Sequence, residues 1–100
     1  MEKNKERPQS AIRYQILFDS KAHREFEKLN LADQRKISRH IDNLEINPKP
    51  QTKNFRPLKG YDLFRLRIGN VRIVYSIDEA RKVVIIEKIG RRSEKFYKLI

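Results

Sequence analysis

The stretch that decides the fold is residues 61–78, YDLFRLRIGNVRIVYSID, in which apolar and polar residues alternate on both sides of Gly69-Asn70. Alternation with a period of two predicts strands that bury one face. A Gly-Asn pair between two such runs indicates a two-residue hairpin turn. The turn sets a register in which Ile68 faces Val71, and the apolar residues of both strands then share one face.

The same register places three arginines on the opposite face of the hairpin. Arg67 stands directly opposite Arg72, and Arg65 follows on the same side of its strand. Like charges opposite each other repel, so the pair is tolerable where acidic side chains or an anionic ligand offset it. One strand arginine is most simply a solvated side chain, whereas three on one face favour a phosphate-binding surface.

The rest of the chain predicts an α+β domain. Residues 12–18 and 82–90 are expected to be strands, and the second is apolar on both faces and therefore central. Between them we expect a helix capped by Asp19 or Ser20, a second helix capped by Asn30 and ended by Asn47-Pro48, and a short edge strand. The predicted fold is an N-terminal strand and a helical hairpin packed on a mostly antiparallel sheet of four to five strands, with a short C-terminal helix near 93–100. Residues 12–100 would form a single domain behind a flexible polar arm at residues 1–11.

The composition favours a polyanionic partner. The 100 residues include 24 Lys and Arg against 13 Asp and Glu, a formal net charge of +11, and such a field attracts nucleic acid. There is no cysteine, which excludes disulfides and thiolate zinc sites and fits a cytoplasmic protein. The sequence has no apolar run long enough to cross a bilayer, so we expect no membrane partner. His23 and His40 are interpreted as surface residues, and no metal site is predicted.

The C-terminal residues are expected to join the hairpin arginines. If residues 82–90 pair antiparallel with 71–78, Arg92 and Tyr97 come close to Arg72. Such a cluster could cleave RNA without a metal ion, because the ribose 2′-hydroxyl is itself a nucleophile. A basic nucleic-acid binder without catalysis explains the composition equally well.

Two runs of sequence add a family resemblance. LKGYDLFRLRIGNVRIVYSID (58–78) and VVIIEKIGRRSEKFY (83–97) resemble the RelE/ParE superfamily of toxins from type II toxin–antitoxin modules, in its RelE-like branch. The resemblance covers about residues 12–99 and implies the RelE-like microbial RNase toxin fold. It also implies a ribosome-dependent endoribonuclease that cuts mRNA in the ribosomal A site.

The resemblance assigns site residues. Arg72, Arg92 and Tyr97 match the family's catalytic positions, which implies phosphate binding and transition-state stabilisation for Arg72. Arg92 would stabilise charge or assist the leaving group, and Tyr97 would stack on a base or act as general base. Residues expected to contact RNA phosphates are Arg65, Arg67, Lys88, Arg91 and Lys95. The family pattern has lysines where this chain has Arg65 and Arg67, and arginine rarely gives up its proton, so the general base stays open.

The resemblance also implies partners. These are a cognate RelB-like antitoxin, the ribosome with its mRNA, and operator DNA bound only by the toxin–antitoxin complex; no cofactor is implied. The alternatives are a ParE-like inhibitor of DNA gyrase that lacks nuclease activity, and a related domain that has lost activity and only binds RNA or antitoxin.

Overall fold

Two helices pack on a five-stranded mixed sheet in the computed structural model, which describes residues 13–91. In chain order the elements are β1 (Gln15–Phe18), α1 (Ser20–Glu27), α2 (Leu31–Asn43), β2 (Phe55–Pro57), β3 (Phe64–Ile68), β4 (Val71–Asp78) and β5 (Val83–Arg91). This is the predicted α+β architecture. The predicted N-terminal arm and C-terminal helix lie outside the described residues.

The sheet order is β1-β5-β4-β3-β2, so β5 lies inside the sheet as its apolar sequence predicted. The pairs β2–β3, β3–β4 and β4–β5 are antiparallel. Of the strands in the described part of the chain, only β1 runs parallel to its neighbour, with Gln15 in register with Val83. A parallel neighbour needs a crossover connection, and the helices and later strands between β1 and β5 provide it.

The hairpin of β3 and β4 has the register that its turn predicted. Ile68 pairs with Val71 and Arg67 with Arg72. Gly69 adopts a φ of 61°, the left-handed conformation that glycine tolerates at the first central position of a type II′ turn. The backbone twist of such a turn matches that of the strands, which explains why this short loop fixes their alignment.

Both helices begin at the predicted caps. The Asp19 carboxylate accepts a hydrogen bond from the Lys21 N–H at 3.1 Å, and the Asn30 side chain accepts one from the Asp33 N–H at 2.8 Å. These bonds satisfy donors that the first helical turn leaves without partners. Beyond the caps, α1 packs on β1 and β5, and the apolar stripe of α2 is buried in the core.

Tyr75 connects the core to the loop that follows α2. Its ring is fully buried, as its place on the apolar hairpin face predicted, and its hydroxyl donates to the Pro48 carbonyl at 2.7 Å. Burial of a tyrosine is favourable when the hydroxyl finds such a partner. The loop of residues 44–54 is thereby held against the sheet.

Two element boundaries differ from the sequence prediction. The strand expected over 61–68 begins at Phe64, because Gly60 turns the chain with a φ of 86° and the Leu58 N–H bonds to the Leu63 carbonyl. The second helix ends at Asn43 rather than at Asn47-Pro48. The residues between Asn43 and Pro48 form turns, so proline marks the end of the turn and not of the helix.

An irregularity interrupts the pairing of β4 with β5. Val74 pairs with Lys88 but Tyr75 pairs with Ile86, which leaves Glu87 as an extra residue on β5. This is a β-bulge, which strengthens the local twist and changes which side chains face each side of the sheet. Within residues 13–91, neither helix is long and apolar enough to span a lipid bilayer.

Candidate nucleic-acid interface

The hairpin brings two arginines as close as a sheet permits. Arg67 and Arg72 are direct partners in register, and the Arg67 N–H bonds outward to the Asn54 carbonyl at 3.0 Å instead of to β4. The two arginines therefore form a non-hydrogen-bonded pair, for which the Cα atoms are about 4.5 Å apart and the side chains are close. Both side chains are partly exposed.

A second arginine pair lies on the same face. Arg56 of β2 is in register with Arg65 of β3, and residues paired across an antiparallel ladder share a face. The rings of Phe55 and Phe64 stack with centroids 5.6 Å apart on the other face, so aromatic packing holds β2 in place. We use "arginine face" for Arg56, Arg65, Arg67 and Arg72. Sequence reasoning missed Arg56, because a three-residue strand after a long loop gives no register signal.

Arg65 is the most deeply buried member of the arginine face, at 9% exposure. One of its terminal nitrogens donates to the Asn54 carbonyl at 3.4 Å. Its Nε is buried and has no hydrogen-bond partner among residues 13–91. A buried charge is costly to keep unless it is paired, so bound anions would stabilise this arrangement.

The charged side chains of the arginine face are all positive. The strand residues that carry it, 55–57, 64–68 and 71–74, contain four arginines and no acidic residue. Lys36 of α2 adds a further cation at the hairpin turn, where a Cβ built on Gly69 would stand 3.2 Å from the Lys36 ammonium. The sequence could not reveal this neighbour, because it depends on how α2 packs over the hairpin.

The end of β5 lies next to Arg72. Gly90 is in register with Arg72, and Arg91 is in register with Val71. Gly90, which is itself buried, presents no side chain to Arg72. The sequence predicted that β5 pairs antiparallel with β4 and so carries the C-terminal residues toward Arg72. This pairing is confirmed as far as Arg91. Arg92, Lys95 and Tyr97 lie outside the described residues, and their roles stay predictions.

Lys88 is held by an acid that the sequence did not reveal. Lys88 is 7% exposed, and its ammonium lies 3.3 Å from the Glu25 carboxylate of α1. The other oxygen of Glu25 accepts the Ile89 N–H at 2.8 Å. Because β1 ends beside Ile86, this part of β5 has no strand on that side among residues 13–91, and Glu25 takes the place of one. An RNA contact by Lys88 stays a prediction that would require its ammonium to exchange Glu25 for phosphate.

The described tyrosines with shifted pKa values are poor general bases. Burial raises the pKa of Tyr75 far above its ordinary value of 10.0, which keeps the phenol protonated. A hydrogen bond to Glu79 is the first cause that raises the pKa of Tyr14. Neither phenol is therefore suited to accept a proton near neutral pH, and the role expected of Tyr97 stays a prediction.

Comparison with known proteins identifies the family. The model of the family described as "ParE toxin of type II toxin-antitoxin system, parDE" matches residues 16–96. A Methanocaldococcus jannaschii protein named as a candidate toxin, RelE1, is 30% identical over 83 residues, covering 81% of this chain and 92% of that protein. An Escherichia coli protein described as a candidate RelE-like toxin is 26% identical over 81 residues, covering 81% of this chain and 85% of its own length.

The fold of a solved structure supports the same family. The archaeal RelE–RelB complex from Pyrococcus horikoshii aligns with a TM-score of 0.74 and 29% identity, covering 83% of this chain and 99% of that chain. The family match over residues 16–96 includes the strands that carry the arginine face. The chain belongs to the RelE/ParE family of toxins from type II toxin–antitoxin systems.

Proposed function

We propose that this toxin is a cytoplasmic, ribosome-dependent endoribonuclease that cuts mRNA in the ribosomal A site and so inhibits translation. The arginine face is the observation that carries the proposal. Four arginines on three neighbouring strand segments, with no acid among them, give a surface suited to the backbone of a single RNA strand.

The proposed reaction is transphosphorylation by the RNA itself. The 2′-oxygen attacks the adjacent phosphorus, the bond from phosphorus to the 5′-oxygen breaks, and the products are a 2′,3′-cyclic phosphate and a 5′-hydroxyl. One proton leaves the 2′-hydroxyl and one reaches the departing 5′-oxygen. As proposed, no metal ion takes part, because guanidinium groups offset the charge that builds on the phosphorane.

Named residues take the steps of this reaction. Arg72 binds the scissile phosphate and stabilises the transition state, and its side chain is partly exposed. Arg92 stabilises charge on the leaving oxygen, and Tyr97 stacks on a base or accepts the 2′ proton. Neighbouring phosphates are held by Arg65, Arg67, Lys88, Arg91 and Lys95.

The proposal includes an antitoxin. The Pyrococcus horikoshii relative is described as a RelE–RelB complex, and we expect this chain to bind a cognate RelB-like antitoxin that blocks the site. The complex, and not the free toxin, would bind operator DNA.

The test is induced expression followed by mapping of mRNA 5′ ends. We expect rapid arrest of translation, with new ends inside codons of ribosome-bound mRNA. The Arg72→Ala, Arg92→Ala double variant should abolish arrest while keeping its fold and its antitoxin binding. Arg81→Ala is the matched control, because the Arg81 side chain is 82% exposed at the opposite end of β4, and it should leave toxicity unchanged.

Two outcomes would contradict the proposal. Persistent arrest in the double variant would show that Arg72 and Arg92 are not the catalytic residues. A halt in replication with intact mRNA and a DNA-damage response would instead identify a ParE-like inhibitor of gyrase.

A further inference from the structure

A cavity of about 410 Å³ opens between the C-terminal end of α2, the 44–54 loop and β3. Its apolar base includes Leu44 and Leu66, which are 1% and 5% exposed. A space of this size with an apolar base is typical of small-molecule sites. Its lining includes Leu66 on the helix-facing side of β3 and also Arg67 of the arginine face.

The rim of this cavity carries side chains that can read a planar ligand. Asn43, Asn47 and Asn54 line it together with His40. An asparagine amide offers both donors and an acceptor, the combination that pairs with the edge of a nucleobase. Among residues 13–91 none of these three amides is engaged by another side chain or by the backbone, so all three are available to a ligand.

Hydrogen bonds to the backbone of the 44–54 loop hold the rim of the cavity in place. The Asn54 N–H bonds to the Thr52 hydroxyl at 3.0 Å, and the Asn54 carbonyl accepts from the Arg67 N–H at 3.0 Å. The Tyr75 hydroxyl holds the other end of the loop through Pro48. A rim fixed in this way loses little conformational entropy when a ligand enters.

Arg67 connects the cavity to the arginine face. It lines the cavity and is also the direct partner of Arg72 across the hairpin. A nucleotide whose phosphate lies near Arg67 could therefore place its base over Leu44 and Leu66. Sequence-specific recognition of RNA commonly uses unpaired bases that are turned out, stacked and bonded along their edges.

We infer that this cavity is a nucleobase subsite, which takes one unpaired base of single-stranded RNA next to the phosphates on the arginine face. The inference rests on the proposed function for its biological meaning. The expectation that the cavity binds a base without a phosphate can be tested independently of catalysis. The cavity then selects which RNA sequences are held, while the arginines bind any backbone.

Nucleosides are the direct probe, because they lack the phosphate that the arginines would bind. We would titrate adenosine, guanosine, cytidine and uridine separately into the isotope-labelled full chain and follow its side-chain amide signals by NMR. At least one nucleoside should shift the signals of Asn43, Asn47 and Asn54 saturably. Inorganic phosphate should leave these signals in place and shift the arginine signals instead.

The variants separate the cavity from the loop. Asn54→Ala removes one rim amide and keeps the backbone groups of Asn54, so the loop should stay folded. It should weaken nucleoside binding about fivefold to tenfold, the effect of losing one or two hydrogen bonds. Gln51→Ala is the matched control, since Gln51 is exposed in the same loop and does not line the cavity, and its binding should be unchanged.

Three results would overturn the inference. One is the absence of any nucleoside-dependent shift at the rim up to millimolar concentration, and another is equal binding by Asn54→Ala and the unchanged protein. The third is weaker antitoxin binding by Asn54→Ala without any nucleoside effect, which would make the cavity a protein-docking site. Nucleoside binding without RNA cleavage would support the subsite and refute the proposed nuclease. RNA cleavage without nucleoside binding would support the nuclease and refute the subsite.

Discussion

Replacing Glu25 with alanine should destabilise the C-terminal end of β5 more than any other single change of a charged residue in α1. The carboxylate accepts the Ile89 N–H at 2.8 Å and lies 3.3 Å from the Lys88 ammonium. Ile89 and Lys88 are 2% and 7% exposed, so water cannot easily replace these contacts. Alanine keeps the helix and removes only the acceptor.

The expected cost follows from the two contacts. A buried N–H that loses its acceptor costs about 1–3 kcal/mol. Breaking a buried ion pair costs about 3–5 kcal/mol when the remaining charge has no other partner, but Lys88 makes a further interaction, so the lower end of that range applies. Because the two contacts share one carboxylate and are not additive, we expect a loss of about 3 kcal/mol, or roughly 15 °C in Tm for a domain of this size.

Urea unfolding followed by circular dichroism measures this loss, and three variants define its origin. Glu25→Gln keeps an oxygen for the Ile89 N–H and should lose only about 1–1.5 kcal/mol. Lys88→Met combined with Glu25→Ala should cost roughly 2 kcal/mol less than the sum of the single changes. Glu27→Ala, whose side chain is 63% exposed, should change stability by less than about 0.5 kcal/mol. If Glu25→Ala and Glu27→Ala have equal stability, the carboxylate does not hold β5 and the reasoning fails.

Three other changes test single contacts by the same unfolding measurement. Tyr75→Phe removes the bond to the Pro48 carbonyl and should cost about 1 kcal/mol at neutral pH. Because burial raises the folded-state pKa of Tyr75, its contribution is complete below the unfolded pKa of about 10 and is lost as pH rises toward the folded value. The gap between the two proteins should therefore narrow above about pH 10, and a constant gap would contradict the burial argument. Gly69→Ala should cost about 1 kcal/mol, because φ at this position is 61° and the new Cβ would stand 3.2 Å from the Lys36 ammonium; an unchanged midpoint would refute the turn geometry. Asn30→Ala should cost about 1 kcal/mol through the lost cap on Asp33, and Asn30→Asp should recover most of it. Equal stability of these last two variants would refute the cap.

The hairpin was predictable because its information is local. Two residues, Gly69 and Asn70, determine the turn, and the turn determines which side of each strand is buried. The pairing of Arg67 with Arg72 follows from counting outward from it. The caps at Asp19 and Asn30 are local in the same sense, since each bonds a backbone N–H only two or three residues away.

The other features depend on contacts between distant parts of the chain. Glu25 reaches Ile89 across 64 residues of sequence, and nothing in the helix sequence marks that acid as a partner of a strand. The bulge at Glu87 is equally hidden, because an extra residue in a strand leaves the apolar pattern almost unchanged. Arg56 joined the site only through the register of β2.

The same distinction between local patterns and distant contacts applies to the candidate site. Arg65, Arg67 and Arg72 were found from alternation alone, and the structure brings all three together on neighbouring strands. The strand position of Lys88 was predictable from the sequence, but the acid that holds it was not. The assignment of Arg92 and Tyr97 derives from family resemblance, and mutagenesis is its test.

The parallel pairing of β1 with β5 also affects how quickly the domain can form. Gln15 meets Val83 only after every other described element has been synthesised, and α1 packs on the same late strand. Contacts this distant in sequence raise the contact order, which slows folding relative to a helical domain of the same length. A nascent chain that has reached only β4 has no partner for its first strand, so β1 should join the sheet only in a late step, after β5 has been made.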